Sequence, residues 1–99
     1  MLLGNFKISN HAYDMYDERI HKTRQSIGRA INRDLRTLNI RHIVRAEENG
    51  EKLIYVFTRN SKEFIFVEGR YGLVLKTVIK RNPEDTQRTI EKRKALVTV

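Results

Sequence analysis

The sequence contains no cysteine, no tryptophan and a single proline in 99 residues. The lack of cysteine excludes disulfide bonds, thiolate chemistry and zinc sites with cysteine ligands. No apolar run approaches the roughly 20 residues that span a bilayer, and the opening residues lack the apolar core and cleavage site of a secretory signal. We therefore expect a cytoplasmic protein without a membrane segment, folded as one domain over residues 1–99.

Acidic residues are also scarce relative to basic ones. Twelve Asp and Glu stand against twenty Lys and Arg, which gives a formal net charge of +8, and the sequence pI is about 10.1. Such a balance favours a polyanionic partner. RNA or another nucleic acid is one candidate, and an acidic protein surface is the other.

The middle of the chain predicts a β-meander. Three runs rich in β-branched and aromatic residues follow one another with only turn signals between them, at 53–57, 64–67 and 73–79. Asn49-Gly50 suits a two-residue hairpin turn and joins a fourth strand, 41–47, to the first of these. We expect two more two-residue turns, at Asn60-Ser61 and Gly69-Arg70.

These turn lengths determine which side chains share a face of the sheet. One face is predicted to be an aromatic core, with Phe57, Phe64 and Leu75 among its residues. The other face is predicted to carry a polar row of Arg41, Thr58, Glu63 and Lys76. Such a row is either a solvated surface, with Glu63 pairing Lys76 across the strands, or a functional site.

Helices are predicted on both sides of this sheet in the sequence. Ser9 or Asn10 begins a first helix over roughly 10–20, and apolar residues at helical spacing predict a second over 23–38. Asn82-Pro83 begins a third, to about residue 96. The predicted fold class is α+β, with two N-terminal helices packed on the aromatic face of a four-stranded antiparallel meander, plus a C-terminal helix.

The basic residues form a pattern on the second helix. Arg29, Arg33 and Arg36 lie opposite its apolar stripe. They are either a solvated face or a line of phosphate contacts, since three guanidiniums in a row can follow a nucleic-acid backbone. Further nucleic-acid-binding candidates lie in or beside the sheet: Arg41, Arg45 and Lys80.

Motifs for cofactor or metal chemistry are not found. There is no Gly-rich phosphate loop and no metalloprotease motif, and the three histidines are not spaced as metal ligands usually are. We therefore expect no cofactor and no metal site. Metal-independent RNA cleavage needs only a base, a proton donor and cations that stabilise the pentacoordinate phosphate. The candidate catalytic residues are His11, Arg19, Thr58 and Lys76.

The run from His11 to Arg19, His-Ala-x-x-x-Tyr-x-Glu-Arg, resembles the "HAxxRMxxR" opening of a family of small bacterial and phage domains. In that family, as here, a helix and an antiparallel sheet follow, and 76–79 is similar to its final strand. His11 and Arg19 match the family's His and second Arg, and Met15 stands at the position of its first Arg. The family is grouped with RelE-like, barnase-like and colicin-type ribonuclease toxins. The resemblance implies that fold, RNA as partner or substrate, and an antitoxin as a possible protein partner.

Two hypotheses follow. The first is a ribonuclease-toxin-like domain that binds RNA, with metal-independent endoribonuclease activity as its enzymatic form. The second is a non-catalytic regulator, plausibly phage-borne, that binds nucleic acid or an acidic host protein. The oligomeric state is not predicted by either hypothesis.

Overall fold

Three α-helices and a five-stranded mixed sheet form an α+β fold in residues 4–16 and 23–95, the parts of the chain that this computed structural model describes. The elements in chain order are β1 (Phe6–Ile8), α1 (Asn10–Tyr16), α2 (Arg24–Asp34), a short 3-10 turn (Thr37–Asn39), β2 (Ile40–Glu48), β3 (Glu51–Thr58), β4 (Lys62–Gly69), β5 (Gly72–Lys80) and α3 (Pro83–Ala95).

The strands lie in the order β1-β5-β4-β3-β2. The four long strands are antiparallel in chain order, as predicted. The prediction of only four strands is wrong, because β1 pairs with β5 in parallel, Phe6 opposite Leu73. Three residues are too few to show the alternation of side chains that identifies a strand in sequence.

The first hairpin turn is predicted correctly and the other two are not. Asn49 and Gly50 both have positive φ and join β2 to β3, as a primed hairpin turn requires. The β3–β4 loop has three residues, 59–61, with Ser61 in the left-handed region at φ 64°. The β4–β5 turn is Arg70-Tyr71, with Gly69 opposite Gly72.

The longer loop shifts the register between β3 and β4 by one residue. Phe57 therefore pairs with Glu63 and Val56 with Phe64. Because neighbouring side chains in a strand point to opposite faces, Phe57 and Phe64 lie on different sides of the sheet. The prediction of one aromatic face is wrong.

Both faces of the sheet are covered by helices instead. Phe64, Phe66 and Leu75 pack with Ile27 and Ile31 of α2 on one face. Val44, Tyr55 and Phe57 pack with Ile90 of α3 on the other face. The N-terminal and C-terminal helices thus divide the core between them.

Side-chain caps begin the helices near the predicted positions. The N–H of Ala12 donates to Ser9 Oγ at 3.1 Å, that of Ser26 to Thr23 Oγ1 at 3.1 Å, and that of Asp85 to Asn82 Oδ1 at 2.8 Å. Each cap satisfies a backbone donor that has no partner within its helix.

The second helix ends earlier than predicted. It stops at Asp34, and Arg36 is already extended. Asn39 Nδ2 donates to the Asp34 carbonyl at 2.7 Å, so a side chain takes the acceptor that a continuing helix would use. Leu38, the last residue of the predicted second helix, is 91% exposed.

Candidate nucleic-acid interface

Two of the predicted arginines, Arg29 and Arg33, lie on α2, and the third, Arg36, lies two residues beyond its end; the three are hereafter called the α2 arginine row. Ile27 and Ile31 are buried against the sheet, so the helical repeat turns Arg29 and Arg33 to solvent. All three arginines are exposed. They line one open depression of about 540 Å³ together with Gln25, Gly28 and Asn32.

The α2 arginine row has no acidic partner within residues 4–16 and 23–95. Residues 23–45 contain six arginines and only one acidic residue, Asp34. That carboxylate is already engaged, because it accepts hydrogen bonds from Tyr16 Oη at 2.7 Å, Asn60 Nδ2 at 2.9 Å and Lys62 Nζ at 2.8 Å. The row is therefore a concentration of uncompensated positive charge, the electrostatic pattern that attracts a phosphate backbone.

The other predicted binding residues lie elsewhere on the surface. Arg41 is an extra residue in β2, where the register shifts between Ile40 and His42. Its guanidinium donates to Gln87 Oε1 of α3 at 2.9 Å. Arg45 is exposed on the edge strand β2, and Lys80 is exposed at the end of β5.

The predicted catalytic residues that the structure describes occupy two different settings. His11 is exposed on α1, and Lys76 is exposed where β5 bulges between Leu75 and Thr77. These two are near in the fold, since Ser9 Oγ donates to the Lys76 carbonyl at 3.0 Å. Arg19 lies outside the described residues.

Thr58 is separated from Lys76 and from the solvent. It is buried at the end of β3, with β4 between it and β5, a lateral separation of about 10 Å. Its hydroxyl donates to Asn60 Oδ1 and accepts a hydrogen bond from the Lys62 backbone N–H at 3.3 Å. Thr58 therefore stabilises the β3–β4 loop rather than facing a site shared with Lys76.

The predicted pairing of Glu63 with Lys76 is wrong. Glu63 is buried on the face covered by α3, opposite in direction to Thr58, and binds Arg81 and Arg93. Neither arginine was predicted as a partner of Glu63, because the three residues come from three separate parts of the chain. Glu63 stands directly before the apolar run of β4, and a carboxylate buried there requires a cationic partner. This position could have predicted an ion pair, although not its partners.

The chain thus defines an α+β domain with an arginine-lined helix face. Comparisons with known protein families, curated proteins and solved structures gave no match. Of the helices that the structure describes, none is long and apolar enough to cross a membrane. Nor do the described residues place three or more histidine, aspartate or glutamate side chains together in a way that could hold a metal ion.

Proposed function

We propose that this domain binds RNA through phosphate contacts made by the α2 arginine row. The observation that carries the proposal is three exposed guanidiniums on one depression, with Asp34, the one acidic residue in 23–45, held by other groups. Unpaired guanidiniums keep all their donors for an incoming phosphate, and their planar fork matches its oxygens.

The spacing of the row suits a nucleic-acid strand. Arg29 and Arg33 are four residues apart on α2, a rise of roughly 6 Å along its axis. Arg36 follows the end of the helix and lines the same depression. Successive phosphates of a duplex strand are about 3.4 Å apart along the axis, so each arginine can contact a separate phosphate.

RNA is proposed as the nucleic acid because of the resemblance to ribonuclease-toxin domains. The packing of both N-terminal helices against one face of a sheet whose strands β2 to β5 form an antiparallel meander supports this choice, and a RelE-like or barnase-like fold is part of the proposal. We propose a binding function rather than cleavage, since the buried Thr58 is held by the β3–β4 loop and is distant from Lys76.

The test is the salt dependence of RNA binding. A triple variant, Arg29→Gln, Arg33→Gln and Arg36→Gln, should flatten the slope of log K against log salt by about 2 to 3, because each phosphate contact contributes about 0.7 to 0.9. Between 50 and 200 mM salt the wild type should therefore lose roughly 20- to 40-fold more affinity than the variant.

A matched control removes the same charge from another helix. Arg88, Lys92 and Lys94 are exposed on α3, and their change to Gln should leave most of the slope intact. Equal slopes for both triple variants would show that net charge acts without a specific face. An unchanged salt slope in the α2 variant would show that these arginines are solvated and make no phosphate contacts.

Two further arms separate the competing functions. DNA of the same sequence tests the choice of RNA. If neither RNA nor DNA binds, an acidic protein is favoured as the partner. RNA recovered intact from the binding mixture is the expected result. Shortened RNA that is no longer produced by a His11→Ala variant, together with growth arrest on expression, would instead identify an endoribonuclease.

A further inference from the structure

Glu63 holds two arginines with one buried carboxylate. Its side chain has no solvent exposure; Oε1 accepts a hydrogen bond from Arg81 Nε at 2.7 Å, and Oε2 accepts one from Arg93 Nε at 3.1 Å. Arg81 follows β5 and Arg93 lies in the last turn of α3. Since both guanidiniums bind the same carboxylate, they lie side by side.

The terminal amino groups of both arginines are open to solvent. Among the described residues, no group accepts a hydrogen bond from the Nη atoms of Arg81 or Arg93. The described part of the chain also contains no buried side-chain nitrogen or oxygen without a partner. These Nη atoms must therefore reach the surface, in agreement with side chains that are 23% and 25% exposed.

The arrangement exceeds what a structural ion pair needs. One carboxylate neutralises one guanidinium, so the cluster of Glu63, Arg81 and Arg93 keeps a net positive charge. Arg93 is also fixed by stacking, with Cζ 4.4 Å from the centre of the Tyr55 ring. Two adjacent cations repel each other, and the shared carboxylate holds them together with their outer edges free.

We propose that Arg81 and Arg93 form a binding site for a phosphate group, positioned by Glu63. Two guanidinium forks offer paired donors to the oxygens of a tetrahedral oxyanion, and charge-assisted bonds of this kind are the strong ones. The site lies on the α3 face of the sheet, opposite the face that α2 covers. It therefore does not rest on the RNA-binding role of the α2 arginine row.

Direct titration of the protein with inorganic phosphate tests the site. Arginine Nε–H resonances are followed by NMR in ¹⁵N-labelled protein, against sodium chloride at the same ionic strength. We expect saturable shifts at Arg81 and Arg93 and only small, linear shifts at Arg88, which is exposed on α3. Shifts of equal size and form at all three arginines would overturn the proposal.

An Arg81→Lys variant separates ligand binding from the structural contact. Lysine can still pair with Glu63, but it lacks the planar fork. We expect a melting temperature close to that of the wild type and phosphate affinity at least tenfold weaker, measured at the Arg93 resonance. Arg88→Lys should bind as the wild type does. Wild-type affinity in Arg81→Lys would refute the site, and the wild-type titration remains decisive if that variant fails to fold.

Two probes identify the source of the phosphate. A dinucleoside monophosphate supplies an internal phosphodiester, and a nucleoside 5′-monophosphate supplies a terminal monoester. Binding of the first alone assigns the site to a nucleic-acid backbone, and binding of the second alone assigns it to small phosphate monoesters or chain ends. If neither nucleotide probe nor inorganic phosphate binds, a phosphate site is excluded.

Discussion

Glu63 in β4 and Arg93 in α3 are thirty residues apart in the sequence, and their side chains meet at 3.1 Å on the sheet face that α3 covers. The buried residues of α3 are only Thr86, Thr89 and Ile90. An apolar contact this small contributes little to docking a helix. The ion pair with Glu63 is therefore a large part of what holds α3 to the sheet.

Replacing Glu63 by glutamine should destabilise the fold. The change leaves two partly buried guanidiniums without a counter-charge, and breaking a fully buried pair costs about 3 to 5 kcal/mol. Because both arginines retain some access to water, we expect a loss of about 2 to 3 kcal/mol in the free energy of unfolding. Urea denaturation followed by circular dichroism measures it.

The control for this prediction is Glu68→Gln, an exposed position in the same strand. It should change the free energy of unfolding by less than about 0.5 kcal/mol. Equal stability of Glu63→Gln and the wild type would show that α3 is held by its apolar contacts alone.

Asp34 joins four parts of the chain and should be equally sensitive. Its carboxylate accepts from Tyr16 of α1, Asn60 of the β3–β4 loop and Lys62 of β4. Asp34→Asn keeps the shape but weakens three hydrogen bonds to a charged acceptor. We expect a loss of about 2 to 3 kcal/mol in thermal or urea unfolding.

Asp14→Asn is the matched control, since Asp14 is exposed on α1. The two variants should differ by at least about 1.5 kcal/mol. A smaller difference would mean that the Asp34 contacts are replaced by water at little cost.

The antiparallel order of β2 to β5 could be predicted because turn residues and β-rich runs are local signals. The faces of β2 and β3 relative to each other were also predicted correctly, but the face of β4 was not. Arg59 adds one residue to the predicted Asn60-Ser61 turn, and one residue reverses every side chain of the following strand. Both registers bury aromatic residues, since Phe57 and Phe64 are each followed or preceded by apolar neighbours, so hydrophobicity alone does not choose between them.

The same contrast holds for the charged residues. The exposure of Arg29 and Arg33 on one side of α2 could be predicted, because helical periodicity places residues four apart on the same face. Arg36 lines the same depression although the helix ends at Asp34. Glu63, Arg81 and Arg93 meet only after three elements have packed together. Their contact depends on the strand register and on the position of α3, neither of which the local sequence determines.

Tyr55 should make the fold sensitive to alkaline pH. Burial raises the pKa of its hydroxyl above the ordinary value of 10.0, and nearby Arg93 opposes that rise only in part. Above pH 10 the unfolded chain releases this proton before the folded chain does. The stabilisation is therefore complete below pH 10 and is lost as the pH rises towards the higher pKa of the folded state.

A Tyr55→Phe variant should lose less stability than the wild type between pH 9 and 11.5, in urea unfolding at each pH. Absorbance at 295 nm should also show a late-titrating component that is smaller in this variant. Tyr71→Phe, at an 89% exposed position, is the control for loss of a tyrosine as such. A late component of wild-type size in Tyr55→Phe would contradict the assignment.

Gly28 allows the helix that carries the α2 arginine row to be stabilised without altering its charge. It lies inside α2, where glycine costs about 0.5 to 1 kcal/mol relative to alanine. A Cβ at this position would meet Ile8 Cδ1 at 3.9 Å and Tyr13 Oη at 4.0 Å, which are ordinary contact distances. Gly28→Ala should therefore raise the free energy of unfolding by about 0.5 to 1 kcal/mol, and a decrease would show that the space beside Ile8 and Tyr13 is tighter than these distances indicate.

Gly28→Ala also probes the RNA-binding surface, because Gly28 lines the same depression as Arg29, Arg33 and Arg36. If RNA contacts only the arginine side chains, the salt slope of RNA binding should be unchanged in this variant. If the RNA backbone instead approaches Gly28 closely, the alanine variant should bind RNA more weakly despite its greater stability.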